Sequence, residues 1–141
     1  MKRFARIICL FIVLSIVVAI PAYAEAQTSR ASSFFTAYRA YCSKASSTSL
    51  EVSFHVIGAG PMDILGASQI KVQRSSDGEN WTTVKTFDKA DYSNMTDTNT
   101  AVHGSVMTCS ITGGHYYRAV VTFYAKNSTG VGFKAYYTAK V

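Results

Sequence analysis

Cations and tyrosines recur at alternate positions through the last third of the chain, a pairing of charge with π surface that could do chemistry. Arg118, Thr122, Tyr124 and Lys126 alternate with Tyr117, Ala119, Val121, Phe123 and Ala125, while Lys134, Tyr136, Thr138 and Lys140 alternate with Phe133, Ala135, Tyr137, Ala139 and Val141. Lys71 and Gln73 stand in the same relation to Ile70 and Val72. A period of two places successive side chains on opposite faces of a strand. One face is therefore expected to gather Lys71, Arg118, Tyr124, Lys126, Lys134 and Tyr136, with the apolar partners turned inward. Rings offer stacking surface and cations offer a screened attraction, so such a face can hold an anionic envelope polymer, a glycan or a surface protein. The same composition also describes a solvated sheet face on which Lys blocks edge association and Tyr is simply a good strand residue.

The other reactive side chains point to less. His55, His103 and His115 are never at metal-ligand spacing, so no metal site and no cofactor are expected. Asp88, Asp91, Asp97 and Asn99 lack the Asp-x-Asp-x-Asp-Gly order of a calcium loop and read as a solvated acidic segment. No nucleophile elbow, phosphate loop or paired-carboxylate signature is present, and the expectation is a protein that is not an enzyme. Trp81, with Tyr92 nearby, would stack on a sugar if exposed, although a lone Trp in a small domain ordinarily fills the core.

The first 24 residues bear on where these groups work. Lys2, Arg3 and Arg6 precede the uncharged run Ile7 to Ile20, and Ala22-Tyr23-Ala24 follows Pro21. That pattern predicts a secretory signal peptide over 1–24 cleaved between Ala24 and Glu25, a flexible polar leader over 25–33 and a β-domain over 34–141, released to the extracellular side without a membrane anchor. Removing 24 of 141 residues leaves 117, which suits one domain. Three of the 14 basic residues and none of the eight acidic ones leave with the signal, so the net charge drops from +6 to +3. With no basic cluster in the remainder, nucleic acid is not an expected partner. Cys9 leaves as well, and Cys42 with Cys109 become an even pair. A disulfide closing residues 42 to 109 would contribute about 4 kcal/mol, but sequence spacing alone leaves open whether the two sulfurs meet.

Strands must position all of these groups. Leu50, Val52, Phe54 and Val56 alternate with polar residues up to Gly58-Ala59-Gly60-Pro61, which reads as the strand's end. Ile70 to Gln73, turn residues Ser75 to Asn80 and Trp81 to Phe87 form a hairpin, and the three-residue spacing of Trp81, Val84 and Phe87 calls for a bulge. Phe34 to Cys42 is read as a strand over a helix, residues 88–100 as a loop, and Val102 to Thr112 as a strand. About seven short strands with no helix after the signal predict an all-β, antiparallel two-sheet sandwich.

The stretch Tyr117-Arg118-Ala119-Val120-Val121 through Asn127-Ser128-Thr129-Gly130-Val131-Gly132 resembles the sixth strand and following turn of fibronectin type III domains, where a Tyr opens the strand and Asn-x-x-Gly ends it. This resemblance implies an immunoglobulin-like sandwich. Met62-Asp63, Gly66, Ile70 to Gly78, Asn80-Trp81-Thr82, Tyr116-Tyr117-Arg118 and Phe123 to Asn127 also resemble a family of small secreted bacterial proteins of unknown function. That likeness brings no activity or site residue, and the segment 88–112 with both cysteines departs from it. The expectation is a secreted, non-catalytic module that binds a polymer or protein through its Lys and Tyr face. The alternative is a structural protein that assembles through exposed strand edges, with Tyr136 and the last strand supplying an edge.

Overall fold

The computed structural model describes residues 33–141, so the expected signal peptide and all but the last residue of the expected leader lie outside the described residues. Six strands follow in order: β1 (Phe35–Ser46), β2 (Ser49–Ser75), β3 (Thr82–Asp88), β4 (Thr96–Ser110), β5 (Tyr116–Asn127) and β6 (Gly130–Tyr137). Every pairing is antiparallel, and the helical content of the described residues is one 3-10 turn, Ser93–Met95. The all-β expectation holds.

β2 organises the sheet. Its first half pairs with β1 on one side and β4 on the other, and its second half pairs with β5 and β3. β6 then adds to the outer side of β5. A straight strand of 27 residues would run about 90 Å. That is several times the ~13 Å radius of gyration of a 100-residue domain, so the strand has to bend. It bends at Gly58-Ala59-Gly60-Pro61, where pairing with β4 skips from Ile57 to Met62 and Gly60 adopts φ +115°. The expected strand end is thus corrected: glycine turns the backbone without reversing it, and the ladder resumes beyond the kink.

The bend curls the sheet until its flanks meet. Tyr38 of β1 lies 5.3 Å, centroid to centroid, from Phe123 of β5 and 6.3 Å from Tyr136 of β6, while Phe54 of β2 lies 6.1 Å from Phe123. None of these pairs are ladder neighbours. Between the flanks lies the core, with Leu50, Val52, Val56, Leu65, Ile70, Val72, Val121 and Phe123 fully buried. Tyr117 is buried with them, and its hydroxyl donates to the Thr112 carbonyl and accepts from the Thr112 amide, both at 2.9 Å. That pair of bonds ties the turn before β5 to the core.

One further expectation is revised, the expected bulge is present, and the open question of the cysteines is answered. β4 begins at Thr96, inside the expected loop, because the Asp97 and Thr100 side chains bond locally to the backbone while the main chain still pairs with β2. The bulge in β3 falls at Val84, where the ladder passes from Val72 and Lys85 to Gln73 and Thr83. Phe87 therefore turns inward while Trp81 lies outside the core. Finally, Cys42 and Cys109 are free. They sit opposite Val52 and Leu50 on strands flanking β2 from either side. Two strand spacings separate them by about 10 Å, beyond the ~6.8 Å Cα reach of a disulfide. Burial pushes the Cys42 thiol up to about 11 and raises that of Cys109 as well.

Two outcomes follow. At Gly66, which has φ +156°, an added methyl would collide with the Met95 carbonyl oxygen and lie 2.7 Å from the Thr96 Cα, both backbone atoms. Gly66→Ala should cost about 3 kcal/mol in denaturant unfolding, whereas Gly113→Ala, whose nearest neighbour is 3.8 Å away, should change stability by no more than about 0.5 kcal/mol. Peptide mapping after air oxidation should show Cys42 and Cys109 as thiols with no cross-link between them. In the native protein, alkylation of Cys42 should rise with pH towards 11 rather than through the ordinary thiol range near ~8.5.

Candidate functional site

Residues directly opposite in a sheet share a face, so the register shows which side chains meet. On the outward face of the second flank, Gln73 stands opposite Arg118, Lys71 opposite Val120, Val120 opposite Tyr137, Tyr124 opposite Phe133 and Lys126 opposite Val131. Of the expected site residues, Lys71, Arg118, Tyr124 and Lys126 occupy this face. Lys134 and Tyr136 do not. They pair with Phe123 and Val121, and Tyr136 packs edge-on against Phe123 and Tyr38 inside the curl. The reason is the two-residue turn Ser128-Thr129: joining Asn127 to Gly130, it sets odd positions of β5 against even positions of β6. Thr138 is buried and donates its hydroxyl to the Ala139 carbonyl while accepting from the Ala119 amide. Phe133 and Tyr137, expected inside, are 57 and 60% exposed on the outer face.

The swap makes the face more aromatic than expected. Two cation–ring clusters occupy it. In the first, the Arg118 guanidinium carbon lies 4.3 Å from the centre of Trp81, which arrives from the β3 side, and 5.3 Å from that of Tyr137 on β6. The Arg118 Nε donates to the Gln73 Oε1 at 2.8 Å. In the second, Lys89 Nζ sits 3.7 Å above the Tyr124 ring, which is tilted against Phe133 at 5.3 Å. Tyr124 keeps 8% exposure because these two side chains cover it. From Tyr137 to Phe133 the clusters are four strand residues apart, about 14 Å, on a face about four strands wide.

Local chemistry holds Trp81 in place. The turn before it is built on Asp77, whose Oδ1 accepts from the Ser75 hydroxyl at 2.7 Å and from the Glu79 and Asn80 amides at 2.9 and 2.8 Å, and whose Oδ2 accepts from the Asn80 side chain at 2.6 Å. Hydrogen bonds from Asn80, then Glu79 and Ser75, hold this carboxyl well below the usual carboxylate range. A bulge at Val84 completes the placement by giving the Trp81 end of β3 the outward phase.

The remaining candidates stay apart. Asp88 and Asp97 cap the Ala90 and Thr98 amides, and no group of three or more His, Cys, Asp or Glu that could hold a metal ion occurs among the described residues. Tyr92 lies edge-on to Phe87 at 5.1 Å, away from Trp81. It lines an open cleft of about 500 Å³ between β3 and β4, with Lys85 over the Phe87 ring at 5.2 Å and Cys109 in the wall. Sequence periodicity named Arg118, Tyr124, Lys71 and Lys126 but missed Trp81, Phe133, Tyr137 and Lys89. Counting Ser128-Thr129 as a two-residue turn would have exposed Phe133 and Tyr137. No protein-family model matches the chain, and no curated protein matches it at a significant level.

The Asp77 turn has a pH signature. Its carboxyl is depressed in the folded state, so the turn contributes stability above the unfolded carboxylate value near ~3.9 and loses it as pH falls below that. Asp77→Asn should lower Tm at pH 7. The gap to wild type should close towards about pH 2, as read by thermal melts across pH.

Proposed function

We propose that the protein is a secreted, non-catalytic module that binds an extended anionic glycan along the outer face of β3, β2, β5 and β6. The observation carrying this reading is the pair of exposed rings, Phe133 and Tyr137, on the outer sheet face beside the Arg118 and Lys89 clusters. Large apolar rings left in water at 57 and 60% exposure next to cations suit a ligand that is both ring-shaped and negatively charged. A net charge of +3 after signal removal favours the same sign of partner.

We infer a fibronectin type III-like, immunoglobulin-like sandwich as the scaffold. Two features support it. β1, the first half of β2, and β4 form one flank, and β3, the second half of β2, β5 and β6 the other. Tyr117 bonds through its hydroxyl to the backbone five residues upstream at the entry to β5, as the corner tyrosine of such sandwiches does. Secretion is supported by the basic, apolar and small-residue order of residues 1–24. The assembly alternative would use β6, an edge strand that exposes Val131, Phe133 and Tyr137.

Affinity electrophoresis in gels containing acidic polysaccharides tests the choice. Phe133→Ala with Tyr137→Ala should weaken retention at least tenfold, about 1.4 kcal/mol, and added salt should weaken it in the wild type. Tyr41→Ala, equally exposed on β1 and away from this face, should be retained like the wild type. Equal retention of the double variant would remove the face from consideration. Concentration-dependent mass in light scattering, abolished by the same double variant, would establish assembly instead.

A further inference from the structure

We infer that Arg118 reads a sugar-borne carboxylate through an end-on, two-hydrogen-bond fork, so that the glycan bound is a polyuronate. This rests on the glycan-binding reading of the outer face and specifies the group recognised there. A guanidinium carries five N–H donors in one rigid plane and can meet an oxyanion either along its Nε edge or through its two terminal nitrogens. In Arg118 the Nε edge is occupied, donating to the Gln73 Oε1 at 2.8 Å. The two terminal nitrogens have no hydrogen-bond partner among the described residues. Trp81 and Tyr137 approach the same guanidinium from the β3 and β6 sides, at 4.3 and 5.3 Å from its central carbon.

The head group is therefore fixed before any ligand arrives. An arginine in water loses rotamer freedom when it binds, whereas one clamped by an amide and two rings has already lost it. Of the remaining donors, two parallel N–H groups match the two oxygens of a carboxylate. Planarity favours that anion over a sulfate or phosphate. Tetrahedral groups place oxygens out of the guanidinium plane, towards ring faces that carry negative potential. Gln73, oriented by its bond to Arg118, keeps its amide nitrogen as a donor for a neighbouring hydroxyl. Lys71, two residues along the same strand face and exposed, supplies a second cation about 7 Å away for the next acidic unit.

Binding of the full processed chain to polygalacturonate, to the same polymer with its carboxyls reduced to alcohols, and to dextran sulfate tests this by affinity electrophoresis. The wild type should prefer polygalacturonate over the reduced polymer and over dextran sulfate by tenfold or more. Arg118→Lys keeps the charge and loses the fork, so that preference should collapse to less than about threefold, with Tm confirming that the variant is folded. An undiminished preference in Arg118→Lys would overturn the fork. Equal wild-type affinity for the acidic and reduced polymers would overturn carboxylate reading while leaving a glycan-binding face. Stronger binding to dextran sulfate would replace the carboxylate with a tetrahedral anion, and retention by none of the three would sink the glycan reading itself.

Discussion

β2 gives backbone hydrogen bonds to four other strands, and because its 27 residues cannot run straight in so small a chain, its bend sets how the rest face one another. β4 pairs with β2 on both sides of the kink, whereas β1 pairs only before it and β3 and β5 only after it. Each flank buries one face against the other, and neither would have a partner without the bend. Gly60 supplies the backbone conformation at the kink, and Gly66 lets the 3-10 turn at Met95 approach the strand beyond it. A break in alternation at Gly58 to Pro61 thus lets one strand run on through a curled sheet instead of separating two elements.

With the flanks in contact, every outward position becomes a matter of register. In a sheet a slip of one residue moves a whole row of side chains to the other face. Two local features decide the phase here: the bulge at Val84 and the two-residue turn at Ser128-Thr129. The first puts Trp81 outside and Phe87 inside. The second puts Tyr137 and Phe133 outside, with Tyr136 inside. Both act on strands at the edges of the four-strand flank: on the central β5, Arg118 has a ring on either side, Trp81 and Tyr137, and Tyr124 meets Phe133 of β6.

Charge on this molecule is repeatedly seated on π surface. Lys44, Lys85, Lys89, Arg118 and Lys140 each lie over an aromatic ring, at 3.7 to 5.9 Å from its centre. One such contact at an exposed site is worth about 0.5–1 kcal/mol, too little to hold a fold together. Its effect is on position: a long flexible side chain is held near one orientation with its charge still at the surface. For Arg118 and Lys89 that orientation coincides with exposed rings, which makes the outer face a better-ordered surface than its composition implies.

Strand content, antiparallel pairing and the inward rows of β2 and β5 were legible in the residues. Alternation of apolar and polar groups records which side of a pleat is dry, and it needs no knowledge of the partner strand. Leu50, Val52, Val56, Val121 and Phe123 all followed it. The Asp-Gly hairpin and the need for a bulge were legible for the same local reason. Tertiary structure alone decided the outward position of Trp81, the continuity of β2 and the separation of Cys42 from Cys109. In β6 both sets of alternate positions carry aromatic residues, so hydrophobicity could not choose a face and the turn connecting it to β5 did. The thiols stand apart because β2 runs between their strands, an arrangement that exists only once the chain has paired with itself.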